Sequence, residues 1–155
     1  MAASVLVDAG FLVALISRRD TNHSWAVAVA QRFPLPWTTC EAALSEAFHL
    51  LGPRGIPALA SLLRRRAVVS AFHLGEQCEE VLALMRKYAD VPMSLADACL
   101  VRMSEILPDP VLLTTDTNFH TYRRHSRKTI PCVLDRKSTR LNSSHSRASR
   151  MPSSA

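Results

Sequence analysis

Two short aliphatic segments, each leading to an aspartate, constrain the fold of this chain most strongly. Ser4 to Val7 and Val111 to Thr114 lack polar alternation, which is the pattern of strands buried on both faces of a parallel sheet. Asp8 ends the first strand and Asp116 ends the second. Segments with helical periodicity lie between the predicted strands. The sequence therefore predicts an α/β domain with a mainly parallel central sheet sandwiched between helices.

The C-terminal segment differs in composition from the rest of the chain. Residues 135–155 contain seven serines, almost no apolar side chain, and five basic residues against one acid, so they supply four of the six net positive charges. Their first part, DRKSTRLNSSH, also looks like an in-frame translation of a sequencing-library adapter. We therefore predict one domain over residues 1–134 and a disordered, non-native tail at 135–155, in which case the native C-terminus is missing.

The cysteines and the N-terminal segment indicate the cellular environment. The chain has four cysteines, Cys40, Cys78, Cys99 and Cys132. They form no CxxC pair and no metal-ligand spacing, so we predict core thiols in a reducing cytosol rather than a zinc site or disulfides. The apolar run Val5 to Ile16 has no basic leader and contains Asp8, unlike a signal peptide or membrane span. We expect a soluble, cytoplasmic protein that does not bind membranes.

Four acids occupy positions where a charge needs an explanation. Asp8 and Asp116 are expected to meet at the carboxyl edge of the sheet, where ligands bind in folds of this class. Asp97 lies in the first turn of a helix that Ser94 opens, and Glu46 lies within an apolar run. We therefore expect neither Asp97 nor Glu46 to lie in open solvent.

Structural roles compete with a functional one at these acids. Asp97 could complement the helix dipole, and Asp116 could cap the short helix that follows it. Glu41 is predicted to form a capping box with Thr38, which assigns it a structural role. Glu46 has the weakest structural explanation, because an unpaired buried carboxylate costs several kcal/mol.

Carboxylates that share one cleft repel one another. At about 4 Å and an effective dielectric constant near 20, each pair costs about 4 kcal/mol. A divalent cation removes that repulsion, and oxygen ligands favour Mg²⁺ or Mn²⁺ over zinc. Because such an ion can activate water for attack on phosphorus, the acids indicate phosphodiester hydrolysis.

The acidic segments resemble those of the PIN-domain ribonucleases. They are VLVDAGFLVALISRRDTNH at 5–23, TTCEAALSEAFHLL around Glu46, YADVPMSLADACLV at 88–101 and LLTTDTNFHTYRR at 112–124. The segments occur in the family's order, and the resemblance covers about residues 4–134. The similarity is greatest to the VapC toxins of bacterial toxin–antitoxin pairs.

This resemblance implies a set of functional residues. The family's metal-binding acids match Asp8, Glu46, Asp97 and Asp116. Its hydroxyl residue just before the last acid matches Thr115, and Asn118 is either a water-mediated ligand or an ordinary helix-start residue. The chain departs from the family at Ala9 and Gly10, where a small hydroxyl residue is frequent, so one possible hydrogen bond is absent.

The same resemblance implies an activity and partners. It implies Mg²⁺- or Mn²⁺-dependent endonucleolytic cleavage of RNA by activated water. It also implies a homodimer and a small antitoxin whose segment covers the cleft. The alternative is a PIN-like module that has lost activity and only binds RNA or protein, which the intact set of four acids disfavours.

Other phosphate-handling proteins lack support in this sequence. A phosphatase of the haloacid dehalogenase type needs a second aspartate where this chain has Gly10. A receiver domain needs a lysine after its last core strand, and Lys87 is the only lysine before Lys128. The four glycines form no cluster that could cradle a phosphate.

Two basic segments are candidate RNA contacts. Arg64 to Arg66 suits either RNA binding or a solvated helix C-terminus. For Arg123 to Lys128 we favour RNA binding, because this segment follows the Asp116 motif.

Overall fold

A parallel sheet lies at the centre of the protein, as predicted. The computed structural model describes residues 3–135. The strands are β1 (Ser4–Val7), β2 (Trp37–Thr39), β3 (Val68–Ser70), β4 (Pro110–Leu113), β5 (Arg123–Arg124), β6 (Lys128–Thr129) and β7 (Cys132–Val133). Five of them form a parallel sheet in the order β3-β2-β1-β4-β7, and β5 pairs with β6 as an antiparallel hairpin.

Helices cover both faces of this sheet. They are α1 (Ala9–Ile16), α2 (His23–Ala30), α3 (Glu41–Arg64), α4 (Cys78–Lys87) and α5 (Leu95–Ile106), with short 3₁₀ turns at Leu74–Glu76 and Thr117–His120. Along β1, Val5 and Val7 pack in a core with residues of α1 to α3, whereas Leu6 packs in a second core with residues of α4 and α5. The lack of polar alternation in β1 follows from this burial on two sides.

The order of the strands reverses beside β1. The chain moves from β1 to β2 and β3 on one side, then crosses back so that β4 pairs with the other side of β1. In an open α/β sheet, such a reversal leaves a crevice outside the carboxyl ends of the two strands. Asp8 follows β1 at this point, and Asp116 lies shortly after β4.

The start of the third helix differs from the prediction. The predicted capping box between Thr38 and Glu41 is wrong, because Thr38 belongs to β2 and the helix begins at Glu41 with Cys40 as its N-cap. Strand pairing of Thr38 with β3 outweighs its local preference for a cap. Gly52, with a positive φ of 66°, interrupts the helical geometry and divides α3 into two helical segments, as Gly52-Pro53 in the sequence indicates.

Smaller differences concern the cysteines and the basic segment near the C-terminus. Cys40 and Cys99 are buried, but Cys78 is exposed, so the expectation of core thiols is wrong for Cys78. The basic segment Arg123 to Lys128 forms a hairpin. Its turn residues His125 and Ser126 both have positive φ, as a tight hairpin turn requires. Of the predicted tail, only Asp135 lies within the described residues. No helix among residues 3–135 is long and apolar enough to span a bilayer.

Candidate active site

The four acids selected from the sequence line one cavity at the strand-order reversal. This cavity has a volume of about 220 Å³ and is lined by Asp8, Glu46, Asp97 and Asp116, together with Gly10, Thr115 and four apolar residues. Each acid comes from a different part of the fold: the N-cap of α1, the second turn of α3, the first turn of α5 and the segment after β4. The topology of the sheet thus brings together residues that are far apart in the sequence.

Asp8 is the most buried of these acids. Its side chain is 6% exposed, and Oδ1 accepts a hydrogen bond of 2.8 Å from the backbone N–H of Phe11, which caps α1. Burial, with smaller contributions from the charges of Asp116 and Asp97, raises the pKa of Asp8 from its usual 3.8 to about 7, against hydrogen bonds from Thr114 and Phe11 that lower it. Asp8 is therefore poised to take up a proton or a cation near neutral pH.

Thr114 connects two of the acids, and the sequence analysis did not identify it. Its hydroxyl donates to Asp8 Oδ2 and accepts a hydrogen bond of 2.9 Å from the backbone N–H of Asp116. The resemblance to the family implies the hydroxyl role for Thr115, which also lines the cavity. The available signal was strand periodicity, because Thr114 directly continues the buried strand β4 and is itself buried.

Asp97 is fixed by three hydrogen bonds at the start of α5. Its backbone N–H donates to Ser94 Oγ over 3.0 Å, and its Oδ2 accepts from the Ser94 backbone N–H over 3.1 Å, which forms a capping box. The hydroxyl of Tyr122 donates to the same Oδ2 over 3.2 Å. The predicted cap at Ser94 is confirmed, and a structural role for Asp97 coexists with its place in the cavity.

The pKa of Asp97 also shows that the acids influence one another. Burial, together with the nearby charge of Asp116, raises the pKa of this carboxyl from 3.8 to about 6. Hydrogen bonds from Ser94 and Tyr122 lower it only in part. The pKa values of Asp8 and Asp97 therefore lie above the ordinary carboxyl range because both groups are desolvated beside other carboxylates.

Asp116 caps the turn that follows β4. Its Oδ1 accepts a hydrogen bond of 2.9 Å from the backbone N–H of Asn118, so the proposed capping role is present. Asn118 is thus held by its backbone at the start of the 3₁₀ turn, as expected of a helix-start residue. The acids that follow β1 and β4, Asp8 and Asp116, each accept a hydrogen bond from a backbone N–H, which fixes the carboxylate.

Glu46 corrects one expectation. The sequence placed it away from open solvent, but its side chain is exposed on α3 at the rim of the cavity. The apolar neighbours Ala43 and Ala47 face the core, whereas Glu46 follows the helical periodicity onto the exposed side. Burial therefore gives no reason for this charge, and only its position in the cavity lining supports a functional role.

Gly10 and Thr115 occupy complementary space in the cavity wall. A Cβ atom added at Gly10 would overlap Thr115 Oγ1 and would lie 3.6 Å from Asp8 Oδ1. The absence of a side chain at position 10 thus gives room to the hydroxyl of Thr115. Where the chain departs from the family, the hydroxyl of Thr115, which follows a different strand, takes up the space beside Gly10.

The oxygen atoms of these acids suit a hard divalent cation, but the acids do not form a closed cage around one ion. Oxygen atoms of carboxylates are the ligands that Mg²⁺ and Mn²⁺ prefer. Within residues 3–135, however, no three acidic, histidine or cysteine side chains are grouped so that they could hold one ion together. Because Mg²⁺ commonly keeps several waters and uses one or two carboxylates, the arrangement suits a hydrated ion better than a four-carboxylate cage.

Comparison with known proteins assigns this fold to a family. The family of PIN domains matches residues 5–124. The crystal structure of Mycobacterium tuberculosis VapC20, described as a sarcin–ricin loop cleaving toxin, is similar with a TM-score of 0.60 and 22% sequence identity, over 70% of this chain and 87% of that chain. No curated protein sequence matches significantly. Because the family match spans well over half of the sequence, the chain belongs to the PIN-domain family.

Proposed function

We propose that this protein is a Mg²⁺- or Mn²⁺-dependent endoribonuclease and the toxin of a toxin–antitoxin pair. The observation that carries the proposal is the cavity at the β1–β4 crevice, which Asp8, Glu46, Asp97 and Asp116 line together. The likeness to VapC20, a toxin that cleaves RNA, supports the choice of RNA as substrate. A cognate antitoxin and a homodimer belong to the same proposal.

Each acid has a part in this proposed mechanism. A bound divalent cation supplies an activated water and stabilises charge on the phosphate. Asp8, Asp97 and Asp116 would hold a hydrated ion, one or two of them directly and the rest through its waters, since backbone and hydroxyl donors fix all three carboxylates. Glu46, on the exposed side, would contact the ion through water or orient the attacking water.

Thr114 and Tyr122 would act as positioning residues. Thr114 holds Asp8 at a set distance from the Asp116 backbone, and Tyr122 fixes Oδ2 of Asp97. These hydrogen bonds hold the carboxylates of Asp8 and Asp97 in set positions. Preorganisation of this kind reduces the reorganisation that the reaction would otherwise require.

End-group analysis of the cleaved RNA tests the proposal. We would incubate total bacterial RNA and a sarcin–ricin loop oligonucleotide with the protein and Mg²⁺, and determine the termini of the products. Attack by water leaves a 5′-phosphate and a 3′-hydroxyl, whereas attack by the RNA 2′-hydroxyl leaves a cyclic phosphate. Cyclic phosphate products would contradict the mechanism, and absence of cleavage would favour the inactive binding module.

A further inference from the structure

The β5–β6 hairpin carries positive charge and begins directly after Tyr122, which contacts an acid of the cavity. Residues Arg123 to Lys128 include four arginine or lysine residues and one histidine. Two of the arginines have internal tasks: Arg123 donates to backbone carbonyls of the preceding turn, and Arg124 donates to the carbonyl of Ser104 over 2.6 Å. Arg127 and Lys128 are exposed, and within the described part of the chain their side chains make no hydrogen bond or ion pair.

The start of the hairpin is fixed to the acid site. Tyr122, the residue before β5, donates its hydroxyl to Asp97, and the backbone N–H of Arg123 donates to the hydroxyl of Tyr88 over 2.9 Å. In the hairpin register, Arg124 pairs with Lys128. Because paired residues lie about 5 Å apart, Lys128 is held one strand away from the segment that contacts Asp97.

The far end of the hairpin is held at the last turn of α5, about 12 Å along that helix from Asp97. The backbone N–H of His125 donates to Glu105 over 2.7 Å, and Lys87 Nζ lies 3.5 Å from the carbonyl of Ser126. Glu105 also forms an ion pair of 3.1 Å with Arg102, so its charge is already balanced and does not cancel that of the hairpin. Lys87 instead adds a further exposed cation beside the turn.

The second basic segment lies at the opposite end of the sheet. Arg64 ends α3, and Ala67, just after Arg66, accepts a hydrogen bond of 2.8 Å from the backbone N–H of Trp37 at the start of β2. The amino ends of the strands are therefore next to Arg66, whereas the acids lie at the carboxyl ends. Of the two segments, only the hairpin is connected to the acidic cavity.

We propose that Arg127 and Lys128 of the β5–β6 hairpin bind phosphates of the RNA chain after it leaves the acidic cavity. The inference rests on the proposed function and adds a substrate-binding surface to it. RNA is repelled by carboxylates, so cations elsewhere on the surface help to bring the polyanion to the cavity. The anchored backbone sets the position of these cations relative to Asp97, while their side chains remain accessible to phosphate.

Binding of a fluorescent single-stranded RNA of mixed sequence tests this surface separately from cleavage. The full chain is measured in EDTA, with RNA integrity checked on a gel, in two variants that each lose two positive charges: Arg127→Gln with Lys128→Gln, and the matched control Arg64→Gln with Arg65→Gln. We expect the hairpin variant to bind about tenfold more weakly than the control and its salt dependence to fall by about 1.4 in slope, which is the loss of two single-strand phosphate contacts. A third variant, Arg127→Lys with Lys128→Arg, keeps the charges and should bind as the wild type does.

The outcomes distinguish this proposal from the proposed function. Equal RNA affinity of the hairpin and control variants, with both folded by circular dichroism, would overturn the hairpin proposal. The hairpin cations would then be assigned to binding an acidic protein surface instead of RNA. Weak binding by the charge-preserving variant would also overturn it, because the effect would then be structural. A weakened hairpin variant in a protein that cleaves no RNA would support the binding surface and contradict only the nuclease proposal.

Discussion

Thr114 donates its hydroxyl proton to Asp8 and accepts the backbone N–H of Asp116, so that one side chain joins the acids that follow β1 and β4. The pair Asp8 and Thr114 is separated by 106 positions in the sequence. Both residues are buried, so each polar group depends on the other for a partner. The geometry of the acid site is thus set by the sheet core as well as by the cavity wall.

Replacing Thr114 with valine should damage both stability and the acid site. Thr114→Val keeps the shape of the side chain but removes the partner of the buried Asp8 Oδ2 and of the part-buried Asp116 N–H, and the loss at Asp8 costs about 1–3 kcal/mol where no water replaces it. We expect a lower free energy of unfolding in urea and weaker Mg²⁺ binding. Thr114→Ser, which keeps the hydroxyl, is the control, and an equal loss in both variants would contradict the role of the hydrogen bonds.

The metal-free protein should lose stability as the pH rises from about 4 to about 7. Burial holds the pKa of Asp8 at about 7 and that of Asp97 at about 6, above the value of 3.8 for an unperturbed carboxyl. Over this window the folded protein binds more protons than the unfolded chain, so ionisation favours unfolding by an amount on the order of a few kcal/mol. Urea denaturation in EDTA across this pH range measures the effect, and Asp8→Asn should flatten it. Stability that rises steadily over the same range in both proteins would contradict these pKa shifts.

Added Mg²⁺ should stabilise the fold at neutral pH. An ion that binds only the folded acid site, at about 100 times its Kd, adds about 2.7 kcal/mol, or roughly 5–10 °C in Tm for a chain of this size. Thermal unfolding with Mg²⁺ or Mn²⁺ measures this shift, and Asp97→Asn should reduce it. Glu41→Gln removes an acid outside the cavity lining and serves as the control. A shift that is the same in both variants would mean that the ion binds elsewhere.

A side chain at position 10 should conflict with Thr115. The Cβ atom of Gly10→Ala would overlap Thr115 Oγ1, and overpacking of this kind typically costs about 1–3 kcal/mol. Thr115→Ala removes the overlapping atom, since its own Cβ would lie 3.7 Å away. In the Thr115→Ala background, alanine at this helical position should instead stabilise the protein by about 0.5–1 kcal/mol. Additive effects in this double-mutant cycle would contradict the contact.

The fold was predictable because strong local patterns agree with the tertiary structure. The doubly buried strand β1 has the predicted bounds, Ser94 caps α5, and Asp8 meets Asp116 at the carboxyl edge of the sheet. The start of α3 was not predictable from local chemistry. Thr38 and Glu41 have the spacing of a capping box, but the pairing of β2 with β3 takes Thr38 into the sheet.

The acids that line the cavity could be predicted from the sequence, but the residues that hold them in place were less predictable. Acids at strand ends are visible in the sequence because charge interrupts apolar runs. The exposure of Glu46 depends on which side of α3 faces the sheet, and an apolar run alone does not determine that. The role of Thr114 depends on a contact between distant strands, so its predicted burial in a strand did not by itself identify Asp8 as its partner.

RNA cleavage by wild type and Asp8→Asn, with Mg²⁺ and with EDTA, tests the central claim most directly. The isosteric amide keeps the packing of this buried position and removes the charge that would bind the ion. We expect the wild type to cut RNA only with Mg²⁺ or Mn²⁺, the folded Asp8→Asn variant to be inactive, and Glu41→Gln to retain most of its turnover. Cleavage that persists in EDTA, or full activity of Asp8→Asn, would contradict the assignment of the acid cavity as a metal-dependent nuclease site.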